Sequence, residues 1–320
     1  MFSGSDSLLV ENEDYVSNPL ELKTTFHSRN ELRRRQRLMP FFWSTIANEG
    51  QLYGNRALGC NVQVTNKQIF SYPGYNEILT GVDDPLIVSN NKIPNRSVTV
   101  LEYVNNLPAF AGRVAAFGSW DVFPYIVNEE RSGIPVNAGF ETAEGPDLTP
   151  REQFLNELQS AIPSPWGAVR LDAFTHHYAL EHLKKYHPKL IYIAYGETDD
   201  FAHDGDYDAY LKSAHQTDQF IAELWDFVQA DPVYAGKTTF VITTDHGRGT
   251  EPLDTWRSHG TDIEGADEIW MAVLGPDTPA KGVVETCNLY QNQVASTVAR
   301  FLGLTYRPGE VGDPVESMFN

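Results

Sequence analysis

Apolar and polar positions follow two rhythms along this 320-residue chain. Short apolar runs at residues 98–101, 114–117, 190–195, 239–243 and 270–274 have the length and composition of buried parallel strands. Longer stretches between most of them recur at the helical period. The clearest helix is predicted from about Tyr207 to Ala230, where Leu211, Ala214, Ile221, Leu224, Trp225 and Val228 share one face. Residues 19–50 also read as helical, with Arg33, Arg34, Arg35 and Arg37 as a solvated face ahead of the apolar stretch from Leu38 to Trp43. A right-handed crossover through the 207–230 helix is expected to set the strands at 190 and 239 parallel in one sheet. The pattern predicts an α/β fold, an open and mostly parallel sheet with helices on both faces. In such sheets ligands bind beyond the carboxyl ends of the strands.

Composition narrows the picture without naming a chemistry. A hydrophobic content of 41% with 12% aromatics supplies a sizeable core. The formal charge of −19 argues against nonspecific binding to nucleic acid or to an anionic membrane. It leaves an anionic substrate open, because bound divalent ions invert the local field. No run approaches the ~18 apolar residues of a membrane span. The first residues, MFSGSDSLLVENEDY, lack the basic and apolar regions of a signal peptide. Cys60 and Cys287 leave one disulfide or two free thiols equally open.

Candidate chemistry collects at the ends of three predicted strands. Glu197-Thr198-Asp199-Asp200-Phe201-Ala202-His203 follows the strand at 190, and one helical turn puts Asp199 and His203 on the same face. Thr244-Asp245-His246-Gly247-Arg248-Gly249 follows the strand at 239, with glycines that let a loop turn tightly around an ion. Ser258-His259-Gly260 precedes the strand at 270. Mixed carboxylate and imidazole ligands suit zinc, and also manganese or iron. The remaining histidines, His27, His176, His177, His182, His187 and His215, read as non-ligands in helical or polar context. Ser71 precedes a Pro-Gly turn and a short helical run, where backbone N–H groups favour an anion.

Together these residues resemble the alkaline phosphatase superfamily, within it the phosphodiesterase/nucleotide pyrophosphatase and phosphoglyceromutase-like branch. Ser71-Tyr72-Pro73 with Leu79-Thr80-Gly81 looks like that branch's nucleophile motif. Asp199 with His203, Asp245-His246-Gly247 and His259-Gly260 match its metal-ligand motifs in order and spacing. The resemblance implies an alkaline-phosphatase-like catalytic domain over residues 1–320, with a small cap inserted within about 82–189. It implies two divalent metals, most simply zinc with manganese as the alternative. Asp199, His203 and His259 would hold one, Asp245 and His246 the other, with Ser71 as nucleophile and bridging ligand. Asn90 stands about where the family places an oxyanion-binding asparagine. Aromatic residues in the cap, Trp120, Phe123 and Tyr125, are expected mainly in core packing.

The activity implied is hydrolysis of small phosphate mono- or diesters through a phosphoseryl intermediate. A phosphoglycerate-mutase-like phosphotransferase and a non-catalytic binding domain are the alternatives. Sulfatases are disfavoured because Ser71-Tyr72-Pro73-Gly74-Tyr75 lacks their arginine. The family begins with a strand ending in Asp-Gly whose aspartate binds the second metal, and no such strand precedes Ser3-Gly4 here. Truncation is the expected reason, and Asp6 and Asp200 are the first substitutes to test. The resemblance also implies a periplasmic or secreted location.

Overall fold

Helices form where a capping side chain meets an amphipathic run, and strands where short apolar runs can be covered on both faces. The computed structural model describes residues 1–309 and 311–320. In chain order its helices are α1 (Pro19–Thr25), α2 (Glu31–Leu38), α3 (Ala47–Glu49), α4 (Ser71–Thr80), α5 (Val100–Asn105), α6 (Phe123–Val127), α7 (Glu129–Ser132), α8 (Pro150–Ala161), α9 (Asp172–Tyr186), α10 (Glu197–Asp204), α11 (Tyr207–Ala230) and α12 (Val294–Phe301). The strands are β1 (Gln51–Tyr53), β2 (Cys60–Gln63), β3 (Val114–Gly118), β4 (Val136–Ala138), β5 (Leu190–Ala194), β6 (Phe240–Thr243), β7 (Met271–Leu274), β8 (Gly282–Val283) and β9 (Cys287–Tyr290).

The long helix α11 has the predicted bounds. Asp206 caps it by accepting from the Ala209 amide, and Leu211, Ile221, Leu224 and Val228 are buried along one face. Each fully buried side chain of this kind contributes ~1.5–3 kcal/mol through its removal from water. Residues 19–50 are helical only in pieces. Asn30 starts α2 afresh by capping the Arg33 amide, and helical geometry lapses at Met39 ahead of Pro40. The α2 arginines are less purely solvated than expected, since the Arg35 guanidinium lies 3.8 Å from the centre of the Trp43 ring.

Three expectations are corrected. Residues 98–101 do not form a strand: Thr99 accepts from the Glu102 amide, and Val100, Leu101 and Val104 become the buried face of α5. A four-residue apolar run fits either element, and the cap decides it. Second, β7 runs antiparallel to both β1 and β6. Third, β5 and β6 do not share a sheet. Strand β5 closes one edge of β4-β3-β5, which is parallel throughout, and β6 closes one edge of β6-β7-β1-β8. Ile191 and Ile193 of β5 and Phe240 of β6 nonetheless pack on the same buried Leu180, Leu183 and Leu224. The two edges thus border one core with no ladder between them. Four of the five β5 residues and all of β6 are only half-buried.

Strands β3 and β4 come from within 82–189, so much of the expected cap is sheet framework. Cys60 and Cys287 face each other in the parallel pair β2–β9 and are joined by a disulfide. That settles the choice the sequence left open.

Candidate metal centre and active site

Two of the loops carrying candidate ligands leave the two facing edges. Helix α10 begins where β5 ends, and its start is fixed by a reciprocal pair of carboxylates. Asp172, at the start of α9, accepts from the Gly196 and Glu197 amides at 2.7 and 3.1 Å, while Glu197 accepts from the Asp172 amide at 2.9 Å. Burial raises the pKa of both, and the Asp172 charge adds to the rise at Glu197. One turn on, Asp199 and His203 lie side by side, with Oδ2 and Nε2 3.3 Å apart.

The loop after β6 is held from beneath by the buried Gln291, whose amide nitrogen donates to the carbonyls of Thr244 and Asp245, each at 2.8 Å. His246 Nδ1 lies 2.9 Å from the Gly247 carbonyl. A carbonyl only accepts, so Nδ1 carries the proton and Nε2 presents a lone pair. His259 is arranged the same way, with Nδ1 3.1 Å from the Ile69 carbonyl. Ile69 adopts the left-handed region, with φ of 52°, which is strained for a β-branched residue. Its amide is held by Asn66 Oδ1 at 2.9 Å, and Asn66 is in turn bound to the buried Glu77 of α4. Local strain is therefore used to aim a carbonyl at His259.

The result is convergence of ligand atoms. One atom each from Asp199, His246 and His259 lies within 4.8 Å of the other two. His203 Nε2 is 3.0 Å from His259 Nε2, and His246 Nε2 is 3.4 Å from Asp245 Oδ2. This triad takes members from both ligand sets that the resemblance implies. His246 Nε2 is buried with no hydrogen-bond partner, a state that costs ~1–3 kcal/mol unless something binds it. Burial, then the neighbouring His246, lowers His259 to about 4, so its imidazole is neutral at physiological pH. Burial, then the Asp199 charge, pushes Asp245 up to about 8. These are the properties of a donor set that fits a divalent cation: neutral imidazoles with free lone pairs, and crowded carboxylates that repel one another without a positive charge between them.

A cavity of about 210 Å³ opens over this cluster, lined by Asp199, Asp200, His203, Asp245 and His259 and, from other elements, by Ser71, Asn90 and Trp120. Ser71 is the first residue of α4. Asn90 Oδ1 accepts from the Tyr72 amide at 3.0 Å, which orients the side-chain amide and leaves its N–H donors for a ligand. Trp120 packs against the core and the Phe123 ring as expected and also lines the cavity, and Phe123 is buried. Asp200 lines the cavity too, its carboxyl pushed up to about 7 by burial and by Asp199. Asp6 does not line it: its carboxylate accepts from the Leu8 and Leu9 amides at the protein's first turn.

Sequence reasoning missed Arg248. Its guanidinium donates to the Asp199 carboxylate and, at 2.8 Å, to the Asp199 carbonyl. Burial alone would raise Asp199, but the His203 hydrogen bond and the Arg248 charge outweigh it and hold the carboxyl well below the usual range. An arginine beside an Asp-His-Gly turn was the available signal.

Residues 149–265 match the model of the Metalloenzyme superfamily, a span that holds all five candidate metal ligands. Among curated proteins no sequence matches the chain. Solved structures with a similar fold include wild-type alkaline phosphatase PafA, with a TM-score of 0.60 at 10% identity over 96% of this chain and 98% of that one. The phosphonate monoester hydrolase of Silicibacter pomeroyi aligns with a TM-score of 0.58 at 12% identity, over 88% of this chain and 71% of that one. The lipoteichoic acid synthase LtaP of Listeria monocytogenes gives 0.56 at 12% identity, over 85% and 68%. Over residues 149–265 the sequence is thus similar to the Metalloenzyme superfamily, and the fold as a whole is similar to that of alkaline phosphatase PafA.

Proposed function

We propose that the protein hydrolyses small phosphate mono- or diesters, with Ser71 as nucleophile and divalent metal held by Asp199, His203, Asp245, His246 and His259. The observation that carries this reading is the paired histidine geometry. His246 and His259 each spend Nδ1 on a backbone carbonyl and turn Nε2 toward Asp199, and the cavity above has Ser71 and Asn90 on its wall. Zinc suits these donors, and manganese is the alternative.

Ser71 Oγ attacks phosphorus in line, forming the seryl O–P bond as the ester oxygen leaves, and water then cleaves the phosphoseryl bond. Asn90, locked by the Tyr72 amide, donates to a phosphoryl oxygen. Asp245 and Asp199 hold charge opposite that oxygen only when cations intervene. Bound metal supplies Lewis acidity and lowers the pKa of the attacking hydroxyl. The disulfide fits an oxidising compartment, consistent with an exported protein. Among the described residues no helix is long and apolar enough to cross a membrane.

A second reading has one observation in its favour. The Arg248 guanidinium already offsets the Asp199 charge, as it would in a metal-poor, non-catalytic binding domain. Metal content and turnover of p-nitrophenyl phosphate and its bis ester separate the two. Bound metal with turnover that is lost in Ser71→Ala supports the hydrolase. Metal-free protein without turnover supports the binding domain.

A further inference from the structure

A second group of ligand side chains converges away from the cavity, between α9 and α11. His176 and His177 are neighbours on α9, and Glu223 reaches them from α11, with one ligand atom of each within 4.8 Å of the other two. We propose that His176, His177 and Glu223 form a separate site for a divalent transition-metal ion, which clamps α9 to α11 beside the carboxyl end of β5.

The His176 ring is wholly buried and fixed on both sides. It stacks on Phe220 with centroids 4.2 Å apart and planes 14° from parallel. Its Nδ1 is 3.0 Å from the Tyr195 hydroxyl and its Nε2 is 3.0 Å from Glu223 Oε2. In the tautomer with Nδ1–H donating to the Tyr195 hydroxyl, Nε2 keeps a lone pair on the Glu223 side and can bind a cation together with that carboxylate. Metal-bound histidines are typically oriented by a partner on the other ring nitrogen, the place Tyr195 occupies. Independently, His177 Nδ1 is inaccessible to solvent and has no hydrogen-bond partner. An ion bound through Nδ1 would satisfy that nitrogen.

Glu223 is about half exposed, with 49% of its side chain open to solvent, so it can turn to close the remaining distance and water can complete the shell. Two imidazoles and a carboxylate with an open position suit zinc, cobalt or nickel better than magnesium or calcium. Lys184 and Arg151 are the opposing charges nearby. Both face Glu181, at 2.8 and 3.8 Å, which offsets them. Tyr195 directly precedes Gly196 and α10, so an ion here braces the segment that carries Asp199 and His203.

The test counts metal on the full chain. After loading with zinc alone and extensive dialysis, His177→Ala and Glu223→Gln should each hold one equivalent less than the wild type. The double variant Asp199→Asn/His259→Ala should keep that one equivalent. Both single positions are partly exposed, and circular dichroism checks folding. Cobalt alone should give a visible d–d band in the double variant that disappears when His177→Ala is added. Equal zinc content in wild type, His177→Ala and Glu223→Gln would overturn the proposal, as would a double variant that folds and binds no zinc.

Discussion

A Cβ added at Gly74 would stand 2.9 Å from the carbonyl carbon of Asp245 and nearer still to its oxygen. The absent side chain lets the first turn of α4, with Ser71, lie directly against the loop that presents Asp245 and His246. Gly74→Ala must push these two apart, because neither contact is the free end of a side chain. Overpacking of this kind costs ~1–3 kcal/mol, and a displacement of about 1 Å at a reacting group can lower the rate ~10²-fold. Thermal unfolding and p-nitrophenyl phosphate turnover should both fall in this variant. Unchanged turnover would show that Ser71 and Asp245 need not be held together.

Ser71→Ala should remove turnover while melting temperature and most metal binding remain. Ser71 is half-exposed in the cavity wall, and its hydroxyl contributes to chemistry more than to packing. Full activity in this variant would mean direct attack by water and would refute the seryl mechanism.

Removing metal with a chelator should abolish turnover and lower the melting temperature, since a bound ion would satisfy His246 Nε2 and offset the charges of Asp199 and Asp245. His259→Ala should weaken metal binding by ~10²-fold or more, by analogy with the 10- to 100-fold losses seen when supporting partners are removed. Titration with zinc reads both effects. An unaltered affinity would take His259 out of the ligand set.

His182 gives the fold a pH limit. Burial lowers its pKa to about 4, so the folded protein keeps it neutral while the unfolded chain takes up a proton near the ordinary value. The stability this provides is complete above about pH 6.5 and is lost as pH falls toward about 4. At pH 4.5 the loss is on the order of 2–3 kcal/mol. His182→Leu should therefore lose less stability than the wild type between pH 7 and pH 4.5 in urea unfolding. Parallel losses in the two proteins would exclude His182 as the source.

The free edges of β5 and β6 should show in hydrogen exchange. Strand β3 is paired on both sides, by β4 and β5, whereas β5 and β6 each have one neighbour. Amides in residues 190–194 and 240–243 should exchange faster than those in 114–118. Such edges also accept added strands, so association at high protein concentration should protect them. Equal protection in the monomer would mean that another group already satisfies those edges.

Much of this arrangement was legible in the sequence because its causes are local. The α11 helix announces itself through Asp206 and a sustained apolar face, and the Asp199–His203 spacing follows from one helical turn. What was not legible depends on partners far along the chain. The direction of β7 is set by β1 and β6, and the need for glycine at position 74 is set by a carbonyl at 245. His176 and His177 look like ordinary helical histidines until Glu223 is brought to them across α11. Residues 98–101 look like a strand because a short apolar run has no period of its own, and the Thr99 cap outweighs its β-branched content.

The bond between Cys60 and Cys287 makes the centre of the molecule a covalent ring. Ser71, Asn90, Asp199, His203, Asp245, His246 and His259 all fall between those two cysteines, so every candidate catalytic group belongs to the ring and none to the tails. A protease that cuts one loop inside the ring would leave a single molecule, its two arms still joined through β2 and β9 and still packed around the same cavity. Activity should therefore survive a clean nick in oxidised protein, and reduction should separate the fragments and end it.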